Sequence, residues 1–141
     1  MSPEELVDRY VEAFNQRDLA AMQALYAEDA VTHDPSYPEP IKGWEAMADV
    51  MRGQWAAFPD ARWELLGPVV ASGNRAAYEI AMQMAHDGPL SMPDGSTLEA
   101  TGTELSVEVG VFLTLDADGS IAEERGYLDA TAVALQLGLV G

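Results

Sequence analysis

The chain opens with helical spacing and changes to alternation by twos near its middle. Ser2, Pro3 and Glu5 have the form of a capping box with proline at the first helical position. Leu6, Val7, Tyr10, Val11 and Phe14 follow at i, i+3, i+4 spacing, which predicts a first helix that stops near Asn15-Gln16-Arg17. Asp18 caps a short second helix with Leu19, Met22, Leu25 and Tyr26 inward and Glu28-Asp29 at its end. Ala30 to Asp34 reads as extended, and Pro35, Pro38 and Pro40 impose an irregular loop because each lacks an amide proton and restrains its predecessor. After Gly43 the helical period returns through Trp44, Met47, Val50, Met51, Trp55 and Phe58, and Pro59-Asp60 closes this third helix.

Everything beyond alternates. Arg62 to Leu66 and Val69 to Ala71 precede a turn at Ser72-Gly73-Asn74, and Tyr78, Ile80, Met82, Met84 and His86 then share one strand face. A loop with Gly88, Pro89, Pro93, Asp94 and Gly95 leads to the longest strand, with Leu105, Val107, Val109, Val111, Leu113 and Leu115 on its dry face. Asp116 to Gly119 makes a hairpin turn, Ile121 to Leu128 returns as a strand, and Ala130 to Leu137 is a last helix that Gly138 can end. This order is an α+β layout in one domain over residues 1–141, with helices collected on one side of a curved sheet. A sheet bent in that way encloses a cavity suited to small apolar ligands.

Composition narrows the function. Twenty-four acidic residues against seven basic ones give a net charge of −17, and Lys42 is the only lysine. Such a surface repels phosphate backbones and anionic headgroups, so neither nucleic acid nor membrane is expected as a partner. With no cysteine, disulfides and thiol chemistry are excluded. The start of the chain lacks the basic and apolar run of a signal peptide, and no stretch is long enough for an apolar span, so a cytoplasmic, soluble protein is expected. Two histidines and scattered carboxylates show no metal-ligand spacing, and neither metal nor cofactor is expected.

Several short runs carry a resemblance. Arg9-Tyr10-Val11, Asn15 to Asp18, Ala27 to Ala30, Asp34-Pro35, Glu39-Pro40 and Gly43 match steroid isomerases in order and without a gap. Phe58-Pro59-Asp60, Asp118 to Ile121, Tyr127-Leu128-Asp129 and Gln136-Leu137-Gly138 look more like SnoaL-type polyketide cyclases. The chain therefore resembles the nuclear transport factor 2-like superfamily over essentially its whole length. That resemblance implies a conical barrel of strongly curved mixed or antiparallel sheet covered on one side by three helices, and pairing into a homodimer. Because the superfamily hosts many chemistries, the fold does not choose the reaction.

The resemblance puts Asp34 at the steroid isomerases' general base and Tyr10 at their oxyanion donor. A carboxylate facing an apolar cavity has its pKa raised toward usefulness as a base, and a phenol is a strong neutral donor. The plainer alternatives are an Asx turn at Asp34 and a core tyrosine at Tyr10. The isomerases' second donor falls at Gly110 or Val111 and the cyclases' strand aspartate at Gly126, none of which carries an acid. Glu124 shares a strand face with Gly126 and is the in-strand replacement; His33 and His86, the latter expected at the solvated rim, are possible proton shuttles. Trp44, Trp55, Phe58, Trp63, Tyr78, Met82, Met84 and Phe112 are candidates to line the cavity or to fill the core. Together these positions imply a cofactor-free isomerase or polyketide-type cyclase acting on an apolar carbonyl compound, or else a dimeric module that binds such a compound without changing it.

Overall fold

Ser2 starts the first helix by accepting a hydrogen bond from the Glu5 amide at 3.1 Å. Helix α1 (Pro3–Asn15) buries Leu6, Val7, Tyr10, Ala13 and Phe14, the stripe its spacing predicts. The structure is a computed structural model describing residues 1–92 and 94–139; Pro93, expected in the loop before the long strand, lies outside them. Asp18 caps α2 (Leu19–Gln23) through the Ala21 amide at 3.0 Å. That helix is shorter than predicted, because the chain enters strand β1 (Tyr26–His33) directly after it. Tyr26 is buried by the pleat of a strand and not by a helical stripe. Parallel pairing with a strand far along the chain decides this, and no local window contains that partner.

The remaining elements are β2 (Ile41–Lys42), α3 (Trp44–Ala57), β3 (Arg62–Leu65), β4 (Val70–Ser72), β5 (Arg75–Ala85), β6 (Leu90–Ser91), β7 (Thr97–Leu98), β8 (Glu104–Leu115), β9 (Ile121–Tyr127) and α4 (Ala130–Gln136). The main sheet runs β2-β1-β9-β8-β5-β3, with β4 also on β5, while β6 and β7 form a separate ribbon. All its pairs are antiparallel except β1 with β9. The architecture is α+β with a strongly curved sheet, as expected; among the described residues the sheet stays open between β2 and β3, so it is not a closed barrel, and α4 is the last helix that the sequence predicts after the other three.

Two edges of this sheet are closed by amide side chains in place of strands. Asn15, at the end of α1, accepts from the Trp63 amide at 2.8 Å and donates to the Trp63 carbonyl at 3.0 Å. Gln136 in α4 does the same for Ser106 in the part of β8 that β9 does not reach, at 3.0 and 3.2 Å. Each satisfies backbone groups that an edge would leave open. Gly88 lets the loop after β5 press against the end of α3, where its amide reaches the Ala57 carbonyl at 3.1 Å. A Cβ there would lie 1.9 Å from the Ala56 carbonyl oxygen, so only glycine permits the approach.

Candidate functional site

Strand register sorts the inner face of the sheet into rows. One row runs Ala76, Leu113, Glu124 and Thr32 across β5, β8, β9 and β1. The next runs Tyr78, Val111 and Gly126, and continuing the His33–Arg125 register by one residue sets Asp34 beside Gly126. Period-two alternation thus places Glu124 and Asp34 on the same concave side, in adjacent rows.

Glu124 is 6 % exposed and is held by two hydroxyls. Thr32 Oγ1 donates to its Oε1 at 3.2 Å, and Tyr26 Oη lies 2.9 Å from the same oxygen. Tyr26 Oη is also 2.6 Å from Tyr10 Oη, with the two rings edge to face at 5.7 Å. A phenol carries a single proton, so proton count sets the direction of the chain. With Glu124 ionised, Tyr10 donates to Tyr26 and Tyr26 to the carboxylate. With Glu124 protonated, Tyr26 is free to donate to Tyr10, and the Tyr10 proton becomes available to a third group. Burial raises the Glu124 carboxyl above its ordinary value, the bonds from Tyr26 and Thr32 pull it down, and the charge of Asp34 raises it further. Tyr10, Tyr26 and Tyr78 are all pushed well above the usual phenol value, first by burial and next by the negative charge of Glu124. They remain neutral donors.

Asp34 stands at the rim, partly buried, where its Oδ1 accepts from the Ser36 amide at 2.8 Å. This is the Asx turn, yet the same residue lines a hollow of about 250 Å³ together with His33, Tyr37, Arg125, Gly126 and Tyr127. The floor at Gly126 is bare, since an added Cβ would meet only Val109 at 3.9 Å. His33 points to the rim and approaches Glu123 at 4.0 Å. A second hollow of about 400 Å³ lies between α1 and β3, walled by Asp8, Glu12, Asn15, Gln16 and Arg62; of the candidates it touches only Trp63.

Two expected placements are corrected. His86 is fully buried, not solvated: its Nδ1 accepts from the Thr101 amide at 3.4 Å and lies 3.0 Å from Thr101 Oγ1, and its ring packs on Phe58 at 5.6 Å. The chain folds back from residue 103 to cover it, a return that a turn at Asp87 to Pro89 does not announce. Phe112 is 44 % exposed on the outer face against Tyr127 at 5.9 Å, because it has the opposite parity to Val111 and Leu113. Phe58, Trp63 and Tyr78 are buried and Trp44, Trp55, Met82 and Met84 partly so, mostly as core: Phe14 stacks on Trp63 at 3.6 Å and leans on Trp55, while Trp44 leans on Tyr26. Sequence reasoning missed Tyr26 and Thr32 as partners of Glu124. Once β1 is known to start at Tyr26, the even-numbered run from Tyr26 and Ala30 to Thr32 would have found both. Among the described residues, no group of three or more His, Cys, Asp or Glu is placed to hold a metal ion, and no helix is long and apolar enough to cross a membrane.

The family model described as a SnoaL-like domain matches residues 7–124. Among solved structures, a candidate polyketide cyclase from Pseudomonas putida is similar at 27 % identity and TM-score 0.77, over 96 % of this chain and 98 % of that one. A candidate polyketide cyclase from Xanthomonas campestris matches at 25 % identity and TM-score 0.77, over 94 % of each chain. AclR from Streptomyces galilaeus, described as a candidate hydroxylase, shares the fold at 23 % identity and TM-score 0.80, over 97 % of this chain and 96 % of its own.

Proposed function

The chain belongs to the SnoaL-like domain family, and from that premise we propose that it is a cyclase-type acid–base enzyme for an apolar, carbonyl-bearing small molecule. The observation that carries this reading is the pairing of two carboxyls in adjacent rows of one concave face, Asp34 at the bare Gly126 floor and Glu124 buried behind it. Asp34 removes a proton from the carbon next to the substrate carbonyl. Negative charge then grows on the carbonyl oxygen, and Tyr10 donates to it. That donation requires Glu124 in its protonated form, so that Glu124, Tyr26 and Tyr10 donate in sequence toward the oxygen. The carbanion either regains the proton at another carbon, which is isomerisation, or attacks a second carbonyl carbon, whose oxygen takes up the proton as the ring closes.

One observation favours a binding module in place of an enzyme: Asp34 already accepts from Ser36, and Gly126 supplies no second acid at the floor. Hydrophobic ketones and polycyclic phenols screened by thermal shift, with product analysis of each binder, separate the two. For a converted compound, Asp34→Asn should lower turnover by about 10²- to 10⁴-fold while leaving affinity and Tm nearly intact. Unchanged turnover in that variant overturns Asp34 as the base, and binding without conversion supports the module.

The same reading pairs two copies through the outer sheet face, where Phe112 and Tyr127 are exposed beside Gly110 and Ala77.

A further inference from the structure

The hollow of about 250 Å³ at the ends of β1 and β9 is bounded by a turn whose shape its own residues set. The Tyr37 amide donates to the Asp34 carbonyl at 3.0 Å, and the Ser36 amide donates to Asp34 Oδ1 at 2.8 Å. Pro35 fills the second position of the turn with its backbone angle fixed by the ring, and Pro38 restrains Tyr37 from the other side. A turn closed in this way holds its first and fourth Cα atoms within about 7 Å of each other. Asp34 and Tyr37 are those two residues, and both line the hollow.

The other side-chain donors on the wall are engaged elsewhere. Strand parity sets His33, Arg125 and Tyr127 on the outer face, opposite to Thr32, Glu124 and Gly126. Arg125 Nε donates to Glu123 Oε1 at 2.8 Å, His33 Nε2 lies 4.0 Å from the same oxygen, and Tyr127 packs edge-on against Phe112. Tyr37 is left as the half-buried neutral hydroxyl beside the carboxylate. Burial first, and the charge of Asp34 next, push its phenol above the ordinary value. The second influence vanishes once Asp34 takes up a proton, so Tyr37 becomes a stronger acid in the step that follows.

We infer that Tyr37 is the acid partner of Asp34: its hydroxyl binds the oxygen of the acceptor carbonyl in the hollow and gives that oxygen its proton as the ring closes. The inference rests on the proposed cyclase-type reading and deepens it, since it assigns the second oxygen of the reaction where Tyr10 serves the first. Asp34 takes the proton from the carbon next to the first carbonyl, and that carbon bonds to the acceptor carbon. The electron pair of the acceptor C=O bond moves onto its oxygen, which takes the Tyr37 proton. Asp34 then returns its proton to the Tyr37 phenolate, three residues along the same turn, so both groups end as they began. A small ligand with two carbonyls suits the hollow, whose volume is below the ~300 Å³ at which ordinary ligand sites begin. Asp34 and Glu39 on the wall favour one that arrives neutral.

Two neutral probes separate the acid from the base. In 2-methyl-2-(3-oxobutyl)cyclohexane-1,3-dione the side-chain ketone can attack a ring carbonyl, whereas 4-cyclohexylbutan-2-one keeps the side-chain ketone and lacks the acceptor. Cyclisation of the first, and deuterium uptake from heavy water beside the carbonyl of the second, are followed by NMR for the full-length wild type, Tyr37→Phe and Asp34→Asn. Tyr37→Phe should lower kcat for cyclisation by about 10²-fold, change KM much less, and leave deuterium uptake and Tm nearly unchanged. Asp34→Asn should lower both reactions. Unchanged cyclisation in Tyr37→Phe overturns the acid role, and so does an equal loss of both reactions, which marks a changed shape of the hollow. A wild type that takes up deuterium without cyclising the triketone overturns the role of Tyr37 alone and keeps Asp34 as the base. A wild type that does neither overturns the base and the acid together.

Discussion

A carboxyl group takes its character from what surrounds it, and Asp34 and Glu124 illustrate this from adjacent rows of one sheet. Asp34 was a candidate through the resemblance to steroid isomerases and Glu124 through strand parity with Gly126. Their ordering was not legible there: Asp34 emerges at a rim with an amide bond to Ser36, while Glu124 is sealed under Tyr26 and Thr32. Burial is the larger influence on Glu124 and raises its pKa in the folded state. The sign follows by linkage. A raised pKa means that the folded state holds its proton more tightly than the unfolded one, so the stabilisation is complete below the unfolded value and disappears as pH rises through the folded value. Glu124→Gln keeps the neutral form at every pH. Wild type should therefore lose stability relative to Glu124→Gln as pH climbs from the ordinary carboxylate range through the raised one. Denaturant midpoints of both proteins across that range measure it, and parallel curves would refute a buried proton at Glu124.

At the scale of elements, local period served well where an element is closed by its own residues and failed where a partner closes it. Helix α1 was readable from Ser2 to Asn15, since its cap and stripe lie within it. The boundary between α2 and β1 was not, because a short apolar run with i, i+3 spacing also satisfies a strand once β9 lies alongside. The amide contacts of Asn15 and Gln136 were equally invisible, as each joins residues far apart in the chain. Asn15 carries two bonds to the backbone of Trp63, whose ring stacks on Phe14. Asn15→Ala leaves an edge amide and carbonyl of β3 unpaired and should cost about 1–3 kcal/mol. Equilibrium unfolding tests this, with Gln16→Ala as the neighbouring control; equal stabilities would mean that water replaces the amide without penalty.

For the whole molecule, charge and fold act in opposite directions. The net charge of −17 keeps the shell solvated but repels itself, so Tm should rise by several degrees between about 10 mM and 500 mM NaCl as the screening length contracts from about 30 Å toward a few ångströms. A salt-independent Tm would show that the acids are too dispersed to matter. Pairing two copies brings −34 together, twice −17, which is tolerable only if the contact is the Phe112 and Tyr127 region and not the acidic shell. Sedimentation should therefore show a dimer favoured by salt, and a monomer at both salt levels refutes the pairing. The order of residues alone determined the α+β layout, the inner and outer parity of each long strand, the acidic character and the set of groups able to do chemistry, because periodicity, charge and residue type are local properties. Only the tertiary structure decided that Glu124 is the sealed acid, that Tyr26 and Thr32 hold it, and that His86 is buried and Phe112 exposed. Burial and hydrogen-bond partnership depend on every element packed around a residue, and strands from opposite ends of the chain supply most of those neighbours here.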